Sequence, residues 1–595
     1  MSSLFHRLHL ARLPGGDRRL ATAAAAVLLA GCSSVSLDEP VRRAPPVEMP
    51  PPAAAPAPQP PPVQEPVPPP VAPPETFPAP PSDTAAAPSD LTPPPPASAV
   101  VAYPDAVAAR FPDPPVRHAT PGTADGREQF TTQSEMESLL AGVALGGGSR
   151  GAYLVRLGAS QSGTALNALL FTRSPGPEPA DLVESGRPTV LLIGQQHGDE
   201  PVTAEALLAV VQELAGGRLS GLLERINVLV MPRANPDGAA SAQRASADGT
   251  DLNRDHLLLR TPEAQALARL VRSYQPMVVV DVHEHAAVGP WMQKFGAMKR
   301  HDVLVQHAMT PNMPALVTRA AEEWFRQPLV KSLAAQQLST EWYHVTSDDP
   351  ADRTVAMGTI RPETARNANG LKNAVSLLLE GRGSDLGRVH LQRRVHALFA
   401  AVESVLSTAA QRAEALVKLR RYIEAEVSAQ ACRGETVVAA TPTRTEYRLT
   451  FIDPQTGADK TLTVDWDSAL DLLPRKLRPR ACGYWLSAQA GDAVARLRNF
   501  GVAVQQIDLD ARVPGDTYRR LPGDGTTPQV ELVHALVDMP AGSYYVALTQ
   551  PLANLVIAAL EPDAPGSYVA GGLVPGVESV ARIQTVPDLT ATPLP

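Results

Sequence analysis

Apolar residues in this chain fall into short unbroken runs, and several of those runs end in polar residues able to do chemistry. Residues 190–193 read as a buried strand that breaks at Gly194. His197 and Glu200 follow, and Pro201 with the helix formers at 204–214 opens a helix, because proline is favoured in a first helical turn. His197 therefore sits on the turn between strand and helix, and Glu200 at the helix start. A second run, 226–231, leads into Asn235, Pro236, Asp237 and Gly238, strong turn chemistry, and then to Arg244, Asp251, Asn253 and Arg254. A third, 277–282, runs into His283, Glu284 and His285; a fourth, 375–379, ends at Glu380. Residues 262–273 place Ala266, Leu267, Leu270 and Val271 at helical spacing. Strands alternating with helices predict an α/β fold, a mixed and largely parallel sheet with helices on both faces. In such sheets ligands bind beyond the carboxyl ends of the strands, so parallel strands would gather all four polar clusters on one edge.

The flanks read differently. Basic residues Arg7, Arg12, Arg18 and Arg19 precede an apolar stretch at 20–30. That stretch is shorter than the about 20 residues a membrane-spanning helix needs, and it suits a secretory signal. Its end, Leu29, Ala30, Gly31 and Cys32, resembles the lipobox of bacterial lipoproteins, in which the cysteine is lipidated. Residues 1–32 are therefore expected to be a lipoprotein signal peptide, and the Pro/Ala-rich residues 33–120 a disordered, semi-rigid tether. The expected location is a bacterial cell envelope, with a lipid anchor in the membrane; if the host has two membranes, Ser33 fits the outer one, facing the periplasm. Residues 385–431 read as helical. Beyond them, 432–580 alternate strand and helix signals, a small α+β accessory domain with a hairpin at 447–466, and 581–595 read as a tail. The catalytic domain is then 121–431.

The chain has 595 residues and a net charge of −8, from 53 basic and 61 acidic side chains, with no basic cluster to hold nucleic acid. Of its three cysteines, Cys32 is explained by the lipobox; Cys432 and Cys482 remain as an even pair in an exported chain, which makes a disulfide the expectation.

Two imidazoles and a carboxylate with further groups in reserve are what an open catalytic zinc site requires. The ordered set His197/Glu200, Asn235 to Gly238, Arg244, Asp251 to Arg254, His283 and Glu380 resembles the zinc carboxypeptidase family, the carboxypeptidase A/B-like metallopeptidases. The resemblance covers about residues 125–385. It implies one Zn²⁺ held by His197, Glu200 and His283, with Glu380 as general base and later proton donor to the leaving amine. Arg244 would stabilise the oxyanion, Asn253 and Arg254 would bind the substrate's terminal carboxylate, and Asp251 would orient His197. The implied substrate is a peptide with a free C-terminal carboxylate, peptidoglycan stem peptides among them.

Rivals exist for single roles: His285 for His283, and Glu363 or Glu341 for Glu380. His283 and Glu380 are preferred because each ends an apolar run, where a buried polar group needs a reason. Glu284 is expected to point away from His283 along a strand. The family commonly places a tyrosine on a mobile loop shortly before the base; here none lies between Arg353 and Glu380, Tyr343 lies further back, and Arg361 and Arg366 fall in that loop. Residues 286–350 read as a long, mostly helical insert walling the cleft. Two other functions share the plan: a murein-peptide amidase or N-acyl amino acid amidohydrolase, and an inactive envelope binding protein.

Overall fold

The computed structural model describes residues 103–147, 151–522 and 527–594. The expected signal peptide, Cys32 and most of the tether lie outside the described residues. In the first part of the fold the strands are β1 (Ala152–Ala159), β2 (Ala165–Phe171), β3 (Thr189–Gly194), β4 (Asn227–Met231), β5 (Val278–His285), β6 (Met298–Lys299), β7 (Val303–His307), β8 (Thr340–Trp342), β9 (Val355–Ala356) and β10 (Val375–Arg382). Eight of them form one sheet in the order β1-β2-β4-β3-β5-β10-β7-β8. Its four central strands, β4, β3, β5 and β10, run parallel. Every residue of these four is buried, which is why their sequences are dominated by Val, Leu and Ile rather than alternating apolar with polar.

The pleat sends alternate residues to opposite faces. Val190, Leu192, Val278, Val280 and Val282 pack in one cluster with the helices Pro201–Gly216 and Leu391–Gln411. Leu191, Ile193 and Val279 pack in another with Pro262–Tyr274. The doubly covered sheet is thus the one the alternation of elements predicts.

Three parts differ from expectation. Residues 103–120 are not tether: Val107 and Phe111 are buried with Ala287, Met298 and Leu386, and the Arg382 guanidinium lies 4.1 Å from the Phe111 ring centre. Proline-rich composition masks the two aromatics, Tyr103 and Phe111, that anchor this segment. The insert at 286–350 is not mostly helical: it contributes β7 and β8 to the main sheet. The third difference concerns the C-terminal part. Its hairpin is far longer than 447–466, formed by β11 (Glu435–Ile452) and β12 (Asp459–Pro479), and these pair outward with β6 and β9.

Beyond the hairpin, β13 (Gly483–Leu486), β14 (Gln505–Ile507), β15 (Ala511–Arg520), β16 (Val530–Met539), β17 (Tyr544–Ala547), β18 (Val580–Ile583) and β19 (Ala591–Pro593) make a seven-stranded sheet. Residues 581–595 are therefore not a free tail, since β18 sits between β15 and β13, and β19 closes one edge. Leu497, Phe500, Leu555 and Tyr568 share one core with Leu267 and Leu270 of the catalytic region, so residues from 432 onward are fused to it rather than set apart. A disulfide joins Cys432 to Cys482. Glu561, Arg478, Asp563 and Arg582 form a buried ionic cluster beside the Tyr484 and Tyr518 hydroxyls.

Candidate active site

The carboxyl ends of β3, β4, β5 and β10 meet at one cavity of about 650 Å³, lined by His197, Glu200, Arg244, Asn253, Arg254 and Glu380. Gly198 has no room for a side chain: a Cβ there would lie 2.0 Å from the Gly238 carbonyl carbon, so the His197 turn is pressed against the turn after β4. That contact brings Arg244 and Asp251, which follow Gly238, to the metal-binding corner.

His197 and His283 turn their Nδ1 atoms toward each other, 3.1 Å apart. Glu200 faces both: Oε1 is 2.7 Å from His197 Nδ1, and Oε2 is 2.9 Å from His283 Nδ1. All three ligand atoms lie within 4.8 Å of one another, and all three side chains are buried. On the far side of each ring, Nε2 meets a carboxylate: Asp251 Oδ1 at 3.2 Å for His197, Asp281 Oδ1 at 2.7 Å for His283. Each Nε2 must then carry its proton, leaving two Nδ1 lone pairs and a carboxylate aimed at one point. Such an arrangement is repulsive unless a cation, or protons, occupy it. Burial disfavours the imidazolium of His283, yet Asp281 and Glu200 outweigh it and hold its pKa well above the usual value. Glu200 is held low, because the two imidazoles overcome its burial. One divalent ion satisfies all three donors at once, and two nitrogens with one oxygen, leaving open coordination, is a donor set that zinc takes in catalytic sites. The residues present fit the ion.

Glu380 lies directly beside His283 in the parallel β5–β10 register, so both side chains leave the same face of the sheet. Burial lifts its pKa to about 7, with His283 pulling it down and Glu200 pushing it up. Arg244 donates Nη2 to Asp251 Oδ2 at 3.0 Å and brings Nη1 within 3.1 Å of His197 Nδ1. Its guanidinium thus borders the same point as the ligands while remaining half-exposed.

The expected Asn253–Arg254 pair is divided. Asn253 is buried, donating Nδ2 to Asp281 Oδ2 at 3.2 Å and accepting the Ala365 N–H at 2.8 Å. Its amide braces the partner of His283 while the residue lines the cavity. Arg254 donates once, to the Asn253 carbonyl at 2.8 Å, and keeps the rest of its guanidinium for the cavity.

The carboxylate rivals for the base pair elsewhere. Glu284 points to the opposite face and pairs with Arg394 at 2.5 Å. Glu341 accepts from the Tyr447 hydroxyl at 2.9 Å, and Glu363 pairs with Arg361 at 2.5 Å. His285 lines the cavity, its Nε2 without a hydrogen-bond partner. Several functional groups carried no signal in isolation. Asp281 is one, although its place two residues before His283 on a strand does predict a shared face. Gln196 bridges Asp281 to His256, whose Nε2 lies 2.6 Å from Gln196 Oε1. Tyr343 reaches the cavity wall despite its distance from the base in sequence, and its hydroxyl pKa is raised by burial and by Glu380.

An α/β metallohydrolase is what this fold and donor set define. Residues 149–345 match the family model described as zinc carboxypeptidase, a span that takes in His197, Glu200, Arg244, Arg254 and His283 and stops before Glu380. Carboxypeptidase 2 of Trichophyton tonsurans is 27% identical over 405 residues, covering 65% of this chain and 74% of that protein. Carboxypeptidase D of Mus musculus is 28% identical over 209 residues, covering 28% of this chain and 15% of that protein. Among solved structures, a metallo-carboxypeptidase from Burkholderia cenocepacia aligns with TM-score 0.33 and 18% identity over 46% of this chain and 70% of that chain. Over residues 149–345 the chain is thus similar to zinc carboxypeptidases.

Proposed function

We propose that this protein is a zinc-dependent metallocarboxypeptidase that removes the C-terminal residue of peptides, acting in a bacterial cell envelope. The observation that carries the reading is the in-register pairing of Glu380 with His283, which sets a raised-pKa carboxylate beside the metal-ligand cluster. A bound zinc supplies Lewis acidity, polarising the scissile carbonyl and making water more acidic. Glu380 takes the proton from the attacking water; a base with a pKa near neutrality is suited to that and to returning the proton to the departing amine. Arg244, aimed at the same point, donates to the oxygen on which charge develops. Arg254 holds the terminal carboxylate and so fixes which bond reaches the base.

The test is a pair of peptides differing only at the C-terminus. Zinc-loaded protein should release the last residue from the free acid, and amidation should slow it at least about 100-fold, the loss expected when a charge-assisted contact goes and the cation it served stays unpaired. Equal hydrolysis of both forms would assign the site to an amidase or endopeptidase instead.

Lipidation at Cys32 and export fit the signal-like residues 1–32 and the Cys432–Cys482 disulfide, which persists in oxidising compartments. Fatty-acid labelling lost on Cys32→Ala is the expected result. Peptidoglycan stem peptides, which also end in a carboxylate, are the natural substrates to assay in that compartment.

A further inference from the structure

One wall of the catalytic cavity holds a cation that the chemistry above does not use. Arg366, in the helix Ala365–Leu371, is 3% exposed and lines the same cavity as Glu200, Arg254 and Glu380. One of its terminal nitrogens donates to the Thr359 carbonyl at 2.8 Å. Its guanidinium carbon lies 5.7 Å from the centre of the Tyr343 ring. Its Nε is buried with no acceptor, and no carboxylate among the described residues pairs with it. Arg394, buried as deeply, carries Glu284 at 2.5 Å. Lys299, the other deeply buried cation of the cavity, donates to the His344 carbonyl at 3.0 Å, lies over the Trp291 ring and feels the charges of Glu380 and Asp385.

Arg366 is also close enough to Arg254 for the two positive charges to oppose each other, and both act on Tyr343. Asp281 and Glu380 act on Arg366 only at a distance, so two guanidiniums face one cavity and neither is in an ion pair with a carboxylate among the described residues. A buried charge is tolerated when something pairs with it, and removing a partner from such a group is strongly unfavourable. The peptidase reading provides one anion, the terminal carboxylate on Arg254. The second guanidinium calls for a second.

We propose that Arg366 is a specificity determinant that selects substrates whose C-terminal residue bears a side-chain carboxylate, glutamate or aspartate. The proposal rests on the carboxypeptidase reading and narrows it to a substrate class. Arg254 takes the main-chain carboxylate and Arg366 the side-chain one. A glutamine side chain has the same shape and no charge, so it isolates the electrostatic part of the selection.

The experiment uses the full zinc-loaded chain and three peptides identical except for a final Glu, Gln or Lys. Wild-type kcat/KM is expected to favour Glu over Gln by about 10- to 100-fold, the range of one charge-assisted hydrogen-bonded pair, with Lys the slowest. Arg366→Gln should collapse the Glu:Gln ratio toward one, and Arg366→Glu should place Lys above Glu. A wild-type Glu:Gln ratio near one overturns the proposal, as does an Arg366→Gln variant that slows all three peptides equally, which would make Arg366 a second holder of the terminal carboxylate. The wild-type comparison decides the matter even where a variant fails to fold. Cleavage of none of the peptides defeats the carboxypeptidase reading along with this one; cleavage of all three at similar rates defeats this one alone.

Discussion

Asp281→Asn is the smallest change that should loosen the metal without touching a ligand. Asp281 is fully buried and accepts from three donors: His283 Nε2 at 2.7 Å, Gln196 Nε2, and Asn253 Nδ2 at 3.2 Å. An amide offers one oxygen. If it faces His283, the new NH₂ meets the NH₂ of Asn253; if it faces Asn253, the NH₂ meets the His283 N–H. Either way a buried donor loses its acceptor, at about 1–3 kcal/mol, and the acceptor left on His283 is neutral, which about halves the strength of that bond. Zinc affinity should fall about 10- to 100-fold, or about 1.4–2.7 kcal/mol. Competition against a chromophoric chelator measures it. The metal-free protein gives a second readout. His283 has its pKa raised well above its ordinary value in the fold, so the stability it contributes is complete below the unfolded value and is lost as pH rises through the raised one. The melting temperature deficit of metal-free Asp281→Asn should therefore be largest on the acid side of neutrality and shrink in alkali. A folded variant that binds zinc within about twofold of wild type, a difference worth well under 1 kcal/mol, would refute the role given to this carboxylate.

Glu380→Gln should lower kcat by at least about 100-fold, the usual contribution of a positioned acid–base group, while zinc content stays at one per chain. In wild type the acid limb of the kcat/KM profile should belong to this residue: it works as the carboxylate, burial holds its pKa at about 7, and activity should rise with pH through a value between there and the ordinary carboxylate range once a cation sits beside it. Breaking the Cys432–Cys482 bridge, which closes 50 residues, should cost about 4 kcal/mol by chain entropy, read as the difference in denaturation midpoint between Cys432→Ser/Cys482→Ser and wild type. Glu561→Gln should destabilise by about 3–5 kcal/mol, because it leaves the buried Arg478 and Arg582 short of counter-charge; a melt unchanged to within a degree would show that Asp563 suffices.

The central strands were legible because burial on both faces leaves few polar residues inside a run, so the polar residues that follow each run mark an edge. His197, Glu200, His283 and Glu380 all follow such runs within a few residues, and parallel pairing gathers them. Asp281 could have been read from its spacing to His283, but inside a run of valines it looks like a misplaced charge. The adjacent amide and guanidinium of Asn253 and Arg254 suggest joint action; the chain kinks there, and although both line the cavity their side chains have different hydrogen-bond partners, which sequence adjacency does not announce. The cavity wall was out of reach for a different reason. Lys299 lies on β6, and β6 and β9 are two-residue strands that pair with the β11–β12 hairpin, over a hundred residues later. Local pattern cannot announce a strand whose partner is that remote.

The β5–β10 register has one last consequence. Because ligand and base sit opposite each other on neighbouring strands, no loop holds them together and no loop can pull them apart. A slip of a single residue between those strands would turn one of the two to the reverse side of the sheet. Half-assembled chains should therefore be inert rather than sluggish.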